Sequence, residues 1–251
     1  MFIDTHAHLI WKELAGKESE TVENAKKAGV EKIITIGCDL ETCEGSMRCA
    51  EKFDNVFFTA GIHPSDAKDS NIDWGKYESF LSHEKCKAVG ECGFDFYYDK
   101  YDEKLQEKFF EKQIELSKKH NLPIIIHTRD AGKKTLEFIK HHKLNNFVVH
   151  CFTETMEFAK KVLDSNGMLS FTGIITYKKA DSVREVVKYA PLERIMLETD
   201  CPYLAPQSVR GQVNEPKYIP EIADKIAEIK EMNFKDIEEI TTKNAEKFFN
   251  I

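Results

Sequence analysis

Eight short apolar or β-branched runs punctuate the chain, each followed by a longer charged segment with helical spacing, and this alternation leaves few folds open. The runs are MFIDTHAH at the start, KIITIG (32–37), VFFTAGIH (56–63), KAVGE (87–91), PIIIH (123–127), FVVH (147–150), MLSFTG (168–173) and IMLETD (195–200). Helices are expected over 19–28, 42–52, 74–83, 103–120, 130–142, 154–165, 181–189, 216–231 and 234–249. Several runs are apolar almost throughout, as parallel strands are when both faces are covered. A parallel sheet of this kind is either closed into a barrel or left open and doubly wound.

The ends of the runs decide between the two. His6 and His8 lie at the end of the first run, Glu91 closes the fourth, His127 the fifth, His150 the sixth and Asp200 the eighth. In an open sheet, eight strands at about 4.8 Å per step would spread those ends over roughly 34 Å. In a barrel they meet at one mouth, where barrel enzymes place their chemistry. The sequence therefore predicts an α/β chain folded as a (β/α)8 TIM barrel, one domain over 1–251, with no linker rich in Pro, Gly or Ser to divide it.

The helical segments carry apolar stripes. Leu105, Phe109 and Leu116 align in the fourth, Ala159, Val162 and Leu163 in the sixth, and Ile222, Ile226 and Ile229 in the eighth. Asn214 before Glu215 and Pro216 reads as an N-cap, an early acid and a Pro near the first helical position.

Composition enters as a set of exclusions. The 36 Lys and Arg against 43 Asp and Glu leave a net charge of −7, which argues against a nucleic-acid coat protein, so any polyanion must be gripped locally. The seven cysteines form no CxxC pair, which argues for a reducing compartment and against a zinc ribbon. Asp4, His6 and His8 interrupt the stretch a signal peptide would need, and no run approaches a membrane span, so a cytoplasmic protein is expected.

His6 and His8 are two apart on a strand of period two, so both imidazoles project from one face, with Asp4 on that face to orient a ligand from behind. Alone, the pair is weak evidence and reads more readily as exposed strand histidines. Four imidazoles and two carboxylates at matching strand ends are another matter: two divalent cations at their centre explain the cluster, because unpaired buried charge is costly. Two such cations about 3.5–4 Å apart can acidify water and clamp the oxygens of a phosphodiester. Asp200 is expected to accept or orient the nucleophile's proton, and Gly90 and Gly93 leave room around Glu91. The donor set leans towards transition metals, with Mg, Mn and Zn all open.

The segments DTHAHL, GIHP, GECGFDF, HTRDA and ETDCPYLAP, continuing through RGQVNEP, resemble the TatD family of metal-dependent deoxyribonucleases, a branch of the amidohydrolase-like barrels, in order from residue 3 to about residue 220. The resemblance implies that His6, His8 and Asp200 hold one metal, that His127 and His150 hold the other, and that Glu91 bridges them. It also implies a hydrolase acting on DNA ends with 3′ to 5′ exonuclease activity; some related proteins are deacylases of mischarged tRNA. Where many members read roughly APxPxRGKRNEP, this chain has Ser208, Gln212 and Val213, and so lacks two positive charges near the mouth.

His63, Arg129 and Arg210 are the candidate substrate contacts, since a guanidinium offers a planar fork to phosphate oxygens. A salt bridge from Arg129 to Asp130 is the plain alternative. Phe94, Phe96, Tyr97 and Tyr98 could stack nucleobases or pack their loop on the barrel; Cys92, Cys151 and Cys201 read as small wall-fillers, and Lys133, Lys134, Lys178 and Lys179 as solvated helix faces. Two other functions stay open: an amide or ester hydrolase such as a D-aminoacyl-tRNA deacylase, and a non-enzymatic metal-dependent scaffold. Amide-specialised barrels often bridge their metals with a modified lysine on the fourth strand, and here Lys87 falls four residues short of Glu91.

Overall fold

A computed structural model describes residues 1–68, 72–97 and 100–251. Its strands are β1 (Phe2–Ala7), β2 (Val30–Ile36), β3 (Val56–Ala60), β4 (Cys86–Asp95), β5 (Ile124–Arg129), β6 (Phe147–Val149), β7 (Met168–Phe171) and β8 (Ile195–Leu197). They form one sheet in sequential order, every pair parallel. A parallel bridge from Ala7 to Cys201 brings the two edges together, making the predicted (β/α)8 barrel.

The helices among the described residues are α1 (Glu18–Lys27), α2 (Leu40–Lys52), α3 (Trp74–Leu81), α4 (Glu103–His120), α5 (Gly132–His141), α6 (Met156–Asp164), α7 (Asp181–Tyr189), α8 (Ile219–Lys230) and α9 (Phe234–Phe249). Their starts follow from local chemistry. Asp39 and Thr42 form a reciprocal capping box on α2, and Asp73, Asp102 and Thr155 cap α3, α4 and α6. The cap expected at Asn214 is not one. Residues 216–218 form a separate 3-10 turn, and the Asn214 side chain is fully buried, donating to Thr199 O at 2.9 Å and Tyr203 O at 2.7 Å. A buried amide spends its donors on whichever carbonyls would otherwise be orphaned, and here those belong to the loop after β8.

Strand alternation sorts the core into two layers. Ile33, Ile126, Val149, Leu169 and Leu197 face the surrounding helices. Their neighbours Ile34, Ile125, Val148, Met168 and Met196 fill the barrel together with Ile3, Ala88, Ala245 and Phe249. The last two come from α9, which is tied to the strand starts by Lys32–Glu246 and by Lys87 Nζ to Asn250 O. Apolar side chains thus plug the barrel at its N-terminal end, leaving the C-terminal mouth for polar groups.

Candidate metal centre

Barrel closure assembles the first group of ligand-type side chains. His6 lies on β1 and His8 just beyond it, and their Nε2 atoms are 3.3 Å apart. Asp200 follows β8; its amide donates to His6 O at 2.9 Å, and its left-handed φ of 54° accompanies a carboxylate turned to the mouth. Asp200 Oδ1 is 3.3 Å from His8 Nε2 and 3.6 Å from His6 Nε2. Asp4 acts as the buckle of this closure. Its carboxylate accepts from Thr199 N at 3.0 Å, Thr199 Oγ1 at 2.6 Å and His6 N at 3.2 Å. It therefore holds the backbone of His6, where the sequence suggested a contact to a ligand ring. Burial pushes its carboxyl up to about 7 against the Thr199 hydrogen bonds.

Glu91 sits within β4, which runs on to Asp95 where the sequence suggested an end at Glu91. Between Val89 and Cys92 the strand carries one residue more than its partner between Ile124 and Ile126, so Glu91 lies in a bulge. A bulge re-aims side chains, and this one turns a mid-strand carboxylate into the mouth. Oε1 lies 2.6 Å from His150 Nε2, 2.8 Å from His127 Nδ1 and 3.5 Å from His63 Nε2. Oε2 lies 3.4 Å from His6 Nε2. The two oxygens of one carboxylate thus face different groups of imidazoles.

Burial opposes ionisation of Glu91, but the charges of His150 and His63 and the hydrogen bonds from His127 and His150 outweigh it and hold the carboxyl well below its usual range. Asp200 behaves likewise: burial raises it, while the His8 hydrogen bond and the His6 charge bring it below. Burial, reinforced by repulsion from His150, lowers His6 and leaves it a neutral donor. His63 is lowered to about 3 by burial and by His127. Against the opposing effect of burial, Glu91 raises His150 strongly, and Asp95 and Glu91 raise His127.

The donor set fits divalent cations. Tetrahedral bonds of about 2.0–2.1 Å to N and O imply donor separations of about 3.3–3.4 Å. The His6–His8, His8–Asp200, His6–Asp200 and His6–Glu91 separations run from 3.3 to 3.6 Å. Around Oε1 the contacts are shorter, 2.8 Å to His127 Nδ1 and 2.6 Å to His150 Nε2, and those two nitrogens are 3.2 Å apart.

A cavity of about 620 Å³ opens over this cluster, lined among others by His63, Arg129 and Asp200. The Arg129 guanidinium lies 3.5 Å above the Tyr97 ring, which sets its plane. Arg210 is elsewhere: it stacks on Tyr177 at 4.4 Å and lines a neighbouring groove with Lys178 and Lys179, which stand in the turn before α7 and not on a helix face. Phe94 is core, packed against Phe110 and Phe138, and Phe96 stacks on Tyr101 with ring centroids 4.5 Å apart; Tyr98 lies outside the described residues. Cys92 and Cys201 are fully buried as expected, whereas Cys151 lines the cavity. Lys134 bridges α5 to Glu103 and Glu107 of α4.

Three polar neighbours were legible but unread. Asp95 lies 3.2 Å from His127 Nε2, and period two from Glu91 through Gly93 leads to it. Glu198, two before Asp200, accepts from Cys151 N and lies 3.5 Å from His150 Nδ1. Cys38 directly follows KIITIG at a strand end, the position that singled out the ligands. Trp11, stacked 3.9 Å from His8, had no local signal. Because Asn214 holds the loop that carries Asp200, Asn214→Ala is expected to cost about 1–3 kcal/mol, as two buried carbonyls lose a donor. Urea denaturation at equal slope would show it; an unchanged midpoint would mean water replaces the amide.

Comparison with known proteins follows the same lines. The model of the TatD related DNase family matches residues 3–250. The uncharacterized metal-dependent hydrolase YabD of Bacillus subtilis is 41% identical over the whole of both chains. YcfH of Escherichia coli K12, also called an uncharacterized metal-dependent hydrolase, is 32% identical over 99% of this chain and 96% of its own. Among solved structures, the TatD homologue YJJV of Escherichia coli K12 superposes with a TM-score of 0.95 at 29% identity, covering 100% of this chain and 98% of that one. A family match over nearly every residue, on a barrel whose mouth gathers histidines and carboxylates, places this chain in the TatD-related DNase family of metal-dependent hydrolases.

Proposed function

We propose that residues 1–251 act as one hydrolase domain, a two-metal phosphodiesterase that removes nucleotides from DNA ends in the 3′ to 5′ direction. The observation that carries this reading is Glu91, whose Oε1 faces His127 and His150 while Oε2 faces His6. His6, His8 and Asp200 would hold one cation and His127 and His150 the other, with Glu91 between them, the ions being Mg²⁺, Mn²⁺ or Zn²⁺. Bound there, divalent cations would supply Lewis acidity towards phosphoryl oxygens and would acidify water.

The chain's own residues do the rest. Asp200, kept ionised beside His8 and lining the cavity, is placed to take a proton from the attacking water. His63, neutral and at the cavity wall, can donate or accept a hydrogen bond without adding charge. Arg129, oriented by Tyr97, presents a cation to a phosphate oxygen. The groove of Lys178, Lys179 and Arg210 shares Ile174 with the cavity and offers a continuation for the sugar–phosphate chain, local positive charge on a chain of net −7. Seven free cysteines support a cytoplasmic setting, and among the described residues no helix is long and apolar enough to cross a membrane.

End-labelled single-stranded DNA incubated with metal-loaded protein tests the reading: a ladder shrinking from the 3′ end is expected with at least one of the three metals. Turnover of a D-aminoacyl-tRNA or a cyclic amide without any ladder would favour the amide or ester hydrolase instead. Against that second reading, Lys87 points to Asn250 O near the opposite end of the barrel. Arg129→Ala is expected to raise KM for single-stranded DNA about tenfold with kcat little changed, and to flatten the slope of log affinity against log salt by about 0.7. An unchanged slope would remove Arg129 from the phosphate path.

A further inference from the structure

Cys38 stands at the centre, and a six-ligand scheme leaves it without a task. It lies two residues beyond the end of β2, is 5% exposed and lines the same cavity. Its Sγ lies 3.9 Å from Glu91 Oε2 and 4.0 Å from His8 Nδ1. His8, Cys38 and Glu91, all buried, each present a donor atom within 4.8 Å of the other two. Bonds of about 2.3 Å to sulfur and 2.0–2.1 Å to N or O imply donor separations of about 3.5 Å, so Sγ and Oε2, 3.9 Å apart, stand close to the spacing that a shared ion requires.

The thiol is also held in place. Cys38 N donates to Thr42 Oγ1 at 2.8 Å, within the capping box of α2, and Cys38 O accepts from His63 N at 2.8 Å. With both backbone groups tied, only rotation about one side-chain bond remains to bring sulfur to an ion. The other cysteines are differently placed: Cys92 Sγ turns to Ile125 O, and Cys43 Sγ to Gly61 O.

We propose that Cys38 is a sulfur ligand available to the cation held by His8 and Glu91, and that it biases the centre towards thiophilic ions, Zn²⁺ and Co²⁺, over Mg²⁺ and Mn²⁺. The inference rests on the metal-centre reading above. On binding, the S–H bond is replaced by a sulfur–metal bond and the proton leaves to solvent, with no change of oxidation state. A thiolate among imidazoles and carboxylates prefers softer ions, whereas Mg²⁺ takes oxygen donors and keeps its water.

The test is a cobalt titration of the full-length, chelator-treated protein followed by absorption spectroscopy. Visible ligand-field bands report that Co²⁺ is bound, and a near-ultraviolet sulfur-to-cobalt charge-transfer band reports that sulfur is among its ligands. The expected result is both sets of bands in the wild type and in Cys151→Ser, with the charge-transfer band lost in Cys38→Ser. Zn²⁺ affinity should fall about tenfold or more in Cys38→Ser while Mg²⁺ affinity holds. Ligand-field bands without charge transfer in the wild type, or a charge-transfer band that survives Cys38→Ser, would overturn the proposal and leave the metal centre standing. No cobalt uptake at all would overturn both. Should Cys38→Ser not fold, alkylation of the wild type mapped by mass spectrometry decides: Zn²⁺ should shield Cys38 where Mg²⁺ does not, and equal labelling under both ions would count against the ligand.

Discussion

Glu91→Gln is expected to remove at least one equivalent of bound metal and to lower hydrolysis by roughly 10⁴-fold, with the barrel intact. The amide keeps one oxygen and puts an NH₂ group where the other stood, so one set of imidazoles, around Oε1 or around Oε2, faces a donor that no cation tolerates. The volume is unchanged. The replacement fits the same buried space, so far-ultraviolet circular dichroism and the melting temperature should move little. Elemental analysis of protein purified without chelator, before and after the substitution, provides the measurement. Two equivalents falling to one or none is the expected result; full metal content with full activity would mean that Glu91 does not bridge.

Gly93→Ala should be among the most damaging single-methyl additions to this chain. Gly93 pairs with His127 in the β4–β5 ladder at φ +139°, and a Cβ built there would lie 2.1 Å from His127 O. The three nearest atoms all belong to the His127 backbone, so no rotamer change relieves the clash, and β4 must separate from β5 where His127 is carried. We expect a loss of about 3 kcal/mol or more, together with weaker metal binding because His127 moves. Chemical denaturation reads the first effect and a zinc titration the second. Wild-type stability in Gly93→Ala would show that the two strands need not pack so closely.

Much of this was legible from local pattern. The β-branched runs and helical stripes locate every strand start and most helices to within about two residues, because period two and period 3.6 are properties of a short window, although β3 and β8 end three residues before their runs do. Three other exceptions share a cause. Glu91 reads as the end of a run because GECG looks like a turn, yet β4 continues to Asp95 through a bulge that exists only against β5. Asn214 carries the signature of a cap, but its partners Thr199 O and Tyr203 O belong to a loop set by β8. Phe94 follows Glu91 as a stacking residue would, yet strand alternation beyond the bulge turns it towards Phe110 and Phe138.

The residue types at the strand ends, and hence a hydrolase that uses metal, were written in the order of amino acids. Which donor faces which was decided by closure of the barrel. His6 and Asp200 are neighbours because β1 and the segment after β8 share hydrogen bonds across nearly the whole chain, with Asp4 and Thr199 as the fastening. Cys38 and Asp95 joined the centre by the same route. A side chain's identity fixes the chemistry it can perform, but its direction depends on backbone pairing between segments far apart in sequence, and no local window contains that pairing.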